Sequence, residues 1–230
     1  MESNQPELLQ LLQMADASWP TGAFAFSNGL EALVQLGRVS DVESFLIYLE
    51  SYLIQLSEAD LVFMNSAFEV NDDELETRLS EILMDWHAFN LVETMRKANI
   101  LSGENWFRLI ASVYSPGGID RLRSFFKVDD RPMYFTIVFP LLLKMIGFDL
   151  ISIHRIFYHM ALRDQINAAI RLGLLGPELA QKIHFKFIGI CENLRVNNKN
   201  RKYYEACRSQ PALELAQGSH QYLYSRLFQN

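Results

Sequence analysis

MYFTIVFPLLLKMIGFDLISI, Met133 to Ile153, is apolar and long enough to span a bilayer, and its reading decides the fold. The stretch carries Lys144 and Asp149, with Pro140 and Gly147 inside it. A charge at mid-span costs roughly 2.5–3.5 kcal/mol on insertion scales. Two charges, a proline and a glycine therefore predict one or two buried helices of a soluble core. A membrane span is not expected.

Outward from that stretch the periodicity is helical almost throughout. Leu8, Leu11, Leu12 and Ala15 predict one face of a first helix, with Pro6 suited to its first turn. Leu30, Leu33 and Val34 predict a second helix that stops at Gly37. Ser40 with Glu43 reads as a capping box opening a third, whose Leu46, Leu49, Leu53 and Leu56 share one side. Asn71 with Glu74 repeats that start signal, while Pro116-Gly117-Gly118, Gly173 and Gly176-Pro177 break the chain. No window alternates with period two between hairpin turns. The expectation is all-α: a single-domain bundle of nine or ten helices over 1–230.

The residues 218–230 form a distinct tail. Chain ends are usually polar and loosely held, yet Tyr222, Leu223, Tyr224, Leu227 and Phe228 are large and apolar or aromatic. Burying a Leu or Phe stabilises by roughly 1.5–3 kcal/mol. Such a segment gains by docking, either on its own body or on another chain.

Of the 230 residues, 50% are hydrophobic, 12% aromatic and 21% charged, as in a folded globular protein. A net charge of −6 argues against general nucleic-acid binding. The basic run Arg195, Lys199, Arg201 and Lys202 reads as a solvated inter-helix loop. Cys191 and Cys207 are too few for a disulfide framework. With no secretory pattern in Met1 to Gln13, a cytoplasmic location is expected.

The usual catalytic constellations are absent: no GxxxxGK[ST], no GxSxG and no HExxH. His154 and His159 lie about 140° apart on a helix and cannot share a metal. They read, like His87, as packing or surface residues. No metal ligand is assigned. The best enzymatic pattern is Asp72-Asp73-Glu74-Leu75-Glu76, a DDxxE in which Asp72, Asp73 and Glu76 are the candidates for a magnesium-dependent, diphosphate-handling helical enzyme. Such a site needs a second acidic set and basic groups for the phosphates, and no candidate for the second acidic set is found. Acids in the first turn of a helix explain the cluster more simply. A helical regulator holding a small apolar ligand in its core is a further rival reading.

Four blocks in order carry a resemblance that spans the chain. The first is Leu8 to Arg38, a leucine-rich helix, then Pro20-x-Gly22-x-Phe24, then Ser27-x-Gly29-Leu30-Glu31. Met95-Arg-Lys-Ala98 with Gly103 follows, then Ala168-Ala-Ile-Arg171-Leu172 with Gly176 and Gln181. The last is Ser219-His220 with Tyr224-Ser225-Arg226-Leu227-Phe228. Together they resemble the urease accessory protein UreF family. Trp19, Pro177 and Gln221 depart from the family's usual residues.

That resemblance implies a non-catalytic, all-α helper in urease maturation that tends to dimerise. It implies partners: a second accessory protein of the UreD (also called UreH) type, the nickel-carrying UreG-type GTPase, and apo-urease. The nickel would be handled by the assembled complex rather than bound here as a cofactor. By the same resemblance the tail docks on the UreD-type partner, through His220, Tyr224, Ser225, Arg226, Leu227 and Phe228. Arg226, set among aromatics, suits an interface cation–π contact. Glu31 could pair with a base on a partner or stand solvated. Arg171 could serve the dimer, the GTPase or its own helix end. Pro20, Gly22, Phe24, Ser27, Gly29 and Leu30 read as structural, with Gly29 inside a helix for a packing reason. The tail is expected to be mobile in the free protein, so that removing it after Gln217 leaves stability nearly intact.

Overall fold

A computed structural model describes residues 8–20, 26–224 and 226–228. Among these the regular elements are all helical. In order they are α1 (Leu8–Ala15), α2 (Leu30–Gln35), α3 (Val42–Glu58), α4 (Asp60–Glu69), α5 (Ser80–Phe89) and α6 (Glu93–Val113). Then follow α7 (Ile119–Lys127), α8 (Phe135–Met145), α9 (Leu150–Arg171), α10 (Pro177–Asn198) and α11 (Pro211–Ser219), with short 3-10 turns and one π turn between them.

The centre of the bundle is α8. A helix apolar all round has no face for water and must be enclosed. Every residue from Thr136 to Leu143 is buried, with α4, α6 and α9 packed around it. The apolar stretch that could have crossed a membrane is thus the core helix, a bend at Gly147, and the start of α9. Among the described residues, no helix is long and apolar enough to cross a membrane. Its two charges have local work. Lys144 donates to the carbonyls of Phe68 (2.7 Å) and Val70 (3.0 Å), which end α4. Asp149 caps α9 by accepting from the Ser152 amide at 2.7 Å.

Gly103 sets how closely α6 approaches α8. A Cβ there would stand 1.8 Å from the Met133 carbonyl oxygen and 2.8 Å from the Phe135 amide nitrogen. Both obstacles are backbone, which cannot swing aside. Trp106, one turn on from Gly103, meets Phe139 edge-on with centroids 4.9 Å apart.

Local start signals needed adjustment. The third helix is capped by Asp41, not Ser40: Asp41 accepts from the Ser44 amide at 2.8 Å, and Ser44 Oγ receives the Asp41 amide at 3.2 Å. The carboxylate wins because its charge faces the positive end of the helix. Asn71 and Glu74 do form a capping box, opening a 3-10 turn that leads through a π turn into α5. On α1 the apolar face is only partly used: Met14 and Ala15 are buried, whereas Leu8, Leu9 and Leu12 are exposed. The helix meets α9 by its C-terminal end, where Arg163 donates to the Ala15 carbonyl. The basic run is not a solvated loop. Arg195 is buried against Glu192 at 2.7 Å, Arg201 donates to Asn198 Oδ1 at 2.8 Å, and Lys202 pairs with Glu69.

His154 is a cost built into this core. It is buried on α9, and neither ring nitrogen has a hydrogen-bond partner among the described residues. Burial, then the nearby Arg195 charge, pull its pKa down to about 3. The unfolded chain, with an ordinary histidine, takes up this proton near pH 6.5. Stability should therefore fall as pH drops below about 6.5, by up to about 1.4 kcal/mol per unit from this group. Urea melts of His154→Leu should lack that share of the acid sensitivity and gain stability at pH 5. A second prediction concerns Gly103→Ala, expected to lose roughly 3 kcal/mol or more by urea melt, because backbone must move.

Candidate partner-docking site

The Ser27-x-Gly29-Leu30-Glu31 block makes a seat for the end of the chain. Asn28 and Gly29 both have positive φ, 52° and 93°. Gly29 precedes α2 rather than lying inside it, so the helix-interior expectation is corrected. Glycine is required there for two reasons: the left-handed backbone, and the approach of α11. A Cβ would meet Gln217 Cγ and N at 3.2 Å and Ala216 Cβ at 3.3 Å. Ser27 and Leu30 are buried beneath.

This approach puts α11 over the first turn of α2 and carries His220 to Glu31. Glu31 is only 1% exposed and His220 is 0% exposed. His220 Nε2 lies 2.7 Å from Glu31 Oε2. An ionised carboxylate only accepts, so the proton of this contact sits on Nε2. The chain then doubles back. The Leu227 amide donates to Glu31 Oε1 at 2.6 Å and the Phe228 amide to Oε2 at 3.3 Å. Three donors meet one carboxylate in a place that water scarcely reaches, where an unpartnered charge would be costly. Glu31 is therefore neither solvated nor left for another chain; it closes an internal clasp.

Arg171, the last residue of α9, completes the clasp. Its guanidinium carbon stands 4.2 Å from the centroid of the Phe228 ring, and Nη2 donates to the Leu227 carbonyl at 3.4 Å. This cation–π contact lies within the chain; Arg226, expected at an interface, is exposed. Phe228 is 4% exposed, buried inside the chain rather than offered to a partner.

Between the two anchors Tyr222, Tyr224 and the Leu227 side chain point outward. Tyr222 is 81% exposed, Leu227 62%, and Tyr224 fully. Pro20 is exposed. Ser225, Gly22 and Phe24 lie outside the described residues. The expectations thus divide. Glu31, Arg171, His220 and Phe228 are engaged within the chain, while Tyr224, Arg226 and the Leu227 side chain face solvent. Gln217, whose Nε2 donates to the Asn28 carbonyl at 3.4 Å, was missed. Nothing in the sequence marks it, because its role depends on the approach at Gly29.

The acidic cluster gathers no ligand set. Asp72 faces Arg121 at 3.9 Å and Glu76 faces Arg131 at 2.9 Å, both as surface pairs. Among the described residues, no three His, Cys, Asp or Glu come together to hold a metal ion. His159 packs edge-on against His184 with centroids 5.4 Å apart.

The clasp reverses the expectation for tail removal. Truncation after Gln217 takes away His220 and Phe228 and strands Glu31, so stability should fall by roughly 2–4 kcal/mol, a drop of several degrees in Tm. Glu31→Gln, keeping the full length, should lose roughly 1–3 kcal/mol and speed amide exchange at Leu227 and Phe228.

Comparison with known proteins gives the family. The UreF family model matches residues 39–187. "Urease accessory protein F" of Arabidopsis thaliana is 31% identical over 218 residues, covering 94% of this chain and 90% of that protein. The protein of the same name in Oryza sativa subsp. japonica is 32% identical over 231 residues, 98% and 86% of the two chains. "Urease accessory protein UreF" of Trichodesmium erythraeum is 24% identical over 233 residues, 100% of each. The family model lies within the bundle and the relatives cover nearly the whole chain, and the chain belongs to the UreF family of urease accessory proteins, helpers in urease maturation rather than enzymes.

Proposed function

We propose that this chain is a scaffold that joins a UreD/UreH-type accessory protein to a UreG-type GTPase, so that nickel reaches apo-urease. In this reading it acts in the cytoplasm, as a homodimer within the complex, with nickel as cargo of the assembly rather than a resident cofactor. The tail is the contact for the UreD-type protein. Membrane and nucleic acid have no part in it.

The observation that supports the reading is the display of Tyr222, Tyr224 and Leu227 on a clasped chain end. Large aromatic and aliphatic side chains held outward are the kind that dominate interfaces. The clasp changes the mechanism expected from sequence. A mobile tail would have to be ordered during docking, at roughly 0.5–1.5 kcal/mol for each side chain immobilised. With His220 and Phe228 already anchored, that cost is smaller, and docking is closer to rigid-body contact.

The test is capture of the UreD-type protein by the full chain in co-expression. Tyr224→Ser with Leu227→Ser should keep Tm within about 2 °C, since exposed substitutions change stability little. The same pair should cut capture at least about tenfold and lower urease activation. Normal capture by this double variant would show that the displayed side chains are not the contact.

A further inference from the structure

The bundle forms a partly open cavity of about 160 Å³ between α3, α6, α8 and α9, bordered at one edge by Phe26, Asn28 and Gln217 beside the clasp. A void of that size holds a molecule about as large as benzene. Its walls are unusual in combining rings with acids. Tyr52, Trp106, Phe135 and Phe157 supply the rings, and Asp60 and Asp164 supply carboxylates.

The charges do not balance. Of the lining residues, Arg208 is the only cation against two acids. Arg208 is itself paired with Glu214 at 2.7 Å, and Asp164 with Arg163 at 2.8 Å. Asp60, the first residue of α4, takes a neutral donor, the Thr136 hydroxyl at 2.9 Å, which Asn99 supports at 3.1 Å. Arg208 also faces Asp60, so Asp60, Asp164 and Glu214 together outnumber Arg208 and Arg163 by one carboxylate amid aromatic faces. Burial raises the pKa of both Asp60 and Asp164, so each gains from an added positive charge. Aromatic faces attract the same charge and give an alkyl chain an apolar surface to lie on.

We propose that this cavity is a binding site for one small organic ammonium, its charge set toward Asp60 and its carbon chain among the rings. Asp60 is the specificity-determining residue and the rings the size filter. An inorganic cation gains nothing from the apolar walls, and an uncharged alcohol can offer the carboxylate a hydrogen bond but no opposite charge.

Calorimetric titration of the full chain with n-butylammonium chloride tests this, beside sodium chloride at equal ionic strength and 1-butanol. Saturable binding of one n-butylammonium per chain is expected, at least about tenfold tighter than 1-butanol, which is about 1.4 kcal/mol. Asp60→Asn keeps the acceptor for Thr136 and should weaken n-butylammonium at least about tenfold. Equal binding of 1-butanol, equal competition by sodium, or no saturable heat in the wild type would overturn the proposal. Unchanged affinity in a folded Asp60→Asn protein would overturn it too. Should that variant fail to fold, the wild-type comparison of the ammonium with the alcohol decides alone.

Discussion

A carboxylate held away from water has to find donors, and Glu31 finds three of them in the last turn of the molecule. Its oxygens receive His220 Nε2 and the Leu227 and Phe228 amides. The path of the chain end follows from that demand. Gly29 opens the space for α11, α11 delivers His220, and the return strand of chain supplies two backbone donors that would otherwise need water. Phe228 then enters an apolar site under Arg171. Removing any one of these contacts leaves the others geometrically stranded, so the clasp behaves as a unit and its energies should not add.

The clasp turns a chain terminus into a surface of fixed shape. Terminal residues commonly lose out to entropy because nothing repeats the hydrogen bonding that a helix would provide. Here two backbone amides bond to a charged acceptor, a stronger arrangement than bonding between neutral groups. The outward Tyr222, Tyr224 and Leu227 are carried on a segment whose flanks are fixed. Their exposure is therefore a property of the fold, not of an unstructured end.

Much of this architecture was legible in the sequence, and the parts that were not share a cause. The helices declare themselves through spacing, and α8 through an apolar run interrupted by a lysine and a proline. Lys144 was readable as a sign against a membrane span, though not as the cap for α4 that it forms, since Phe68 and Val70 lie more than seventy positions back. The tail's composition foretold docking without saying onto what. Glu31 and His220 are 189 residues apart, and a glutamate at the start of a helix normally reads as a solvated, dipole-satisfying residue. Burial depends on which element comes to cover it, and α11 covers Glu31 only because position 29 has no side chain. Asp41 in place of Ser40 is the smaller version of the same limit: two adjacent cap formers compete, and charge decides.

Several of the surface charges are paired within the chain. The acids at 72 and 76 face Arg121 and Arg131, and the basic residues around 195–202 are tied to Glu192, Asn198 and Glu69. Such pairs sit in high dielectric or within rigid local networks and contribute modestly to stability. In the proposed docking, recognition would rest on shape and on apolar side chains, where each buried Leu or aromatic ring contributes roughly 1.5–3 kcal/mol. Apolar recognition of that kind tolerates salt, unlike contact between exposed charges. A salt-insensitive attachment is what distinguishes docking through Tyr222, Tyr224 and Leu227 from an encounter guided by the chain's net charge of −6.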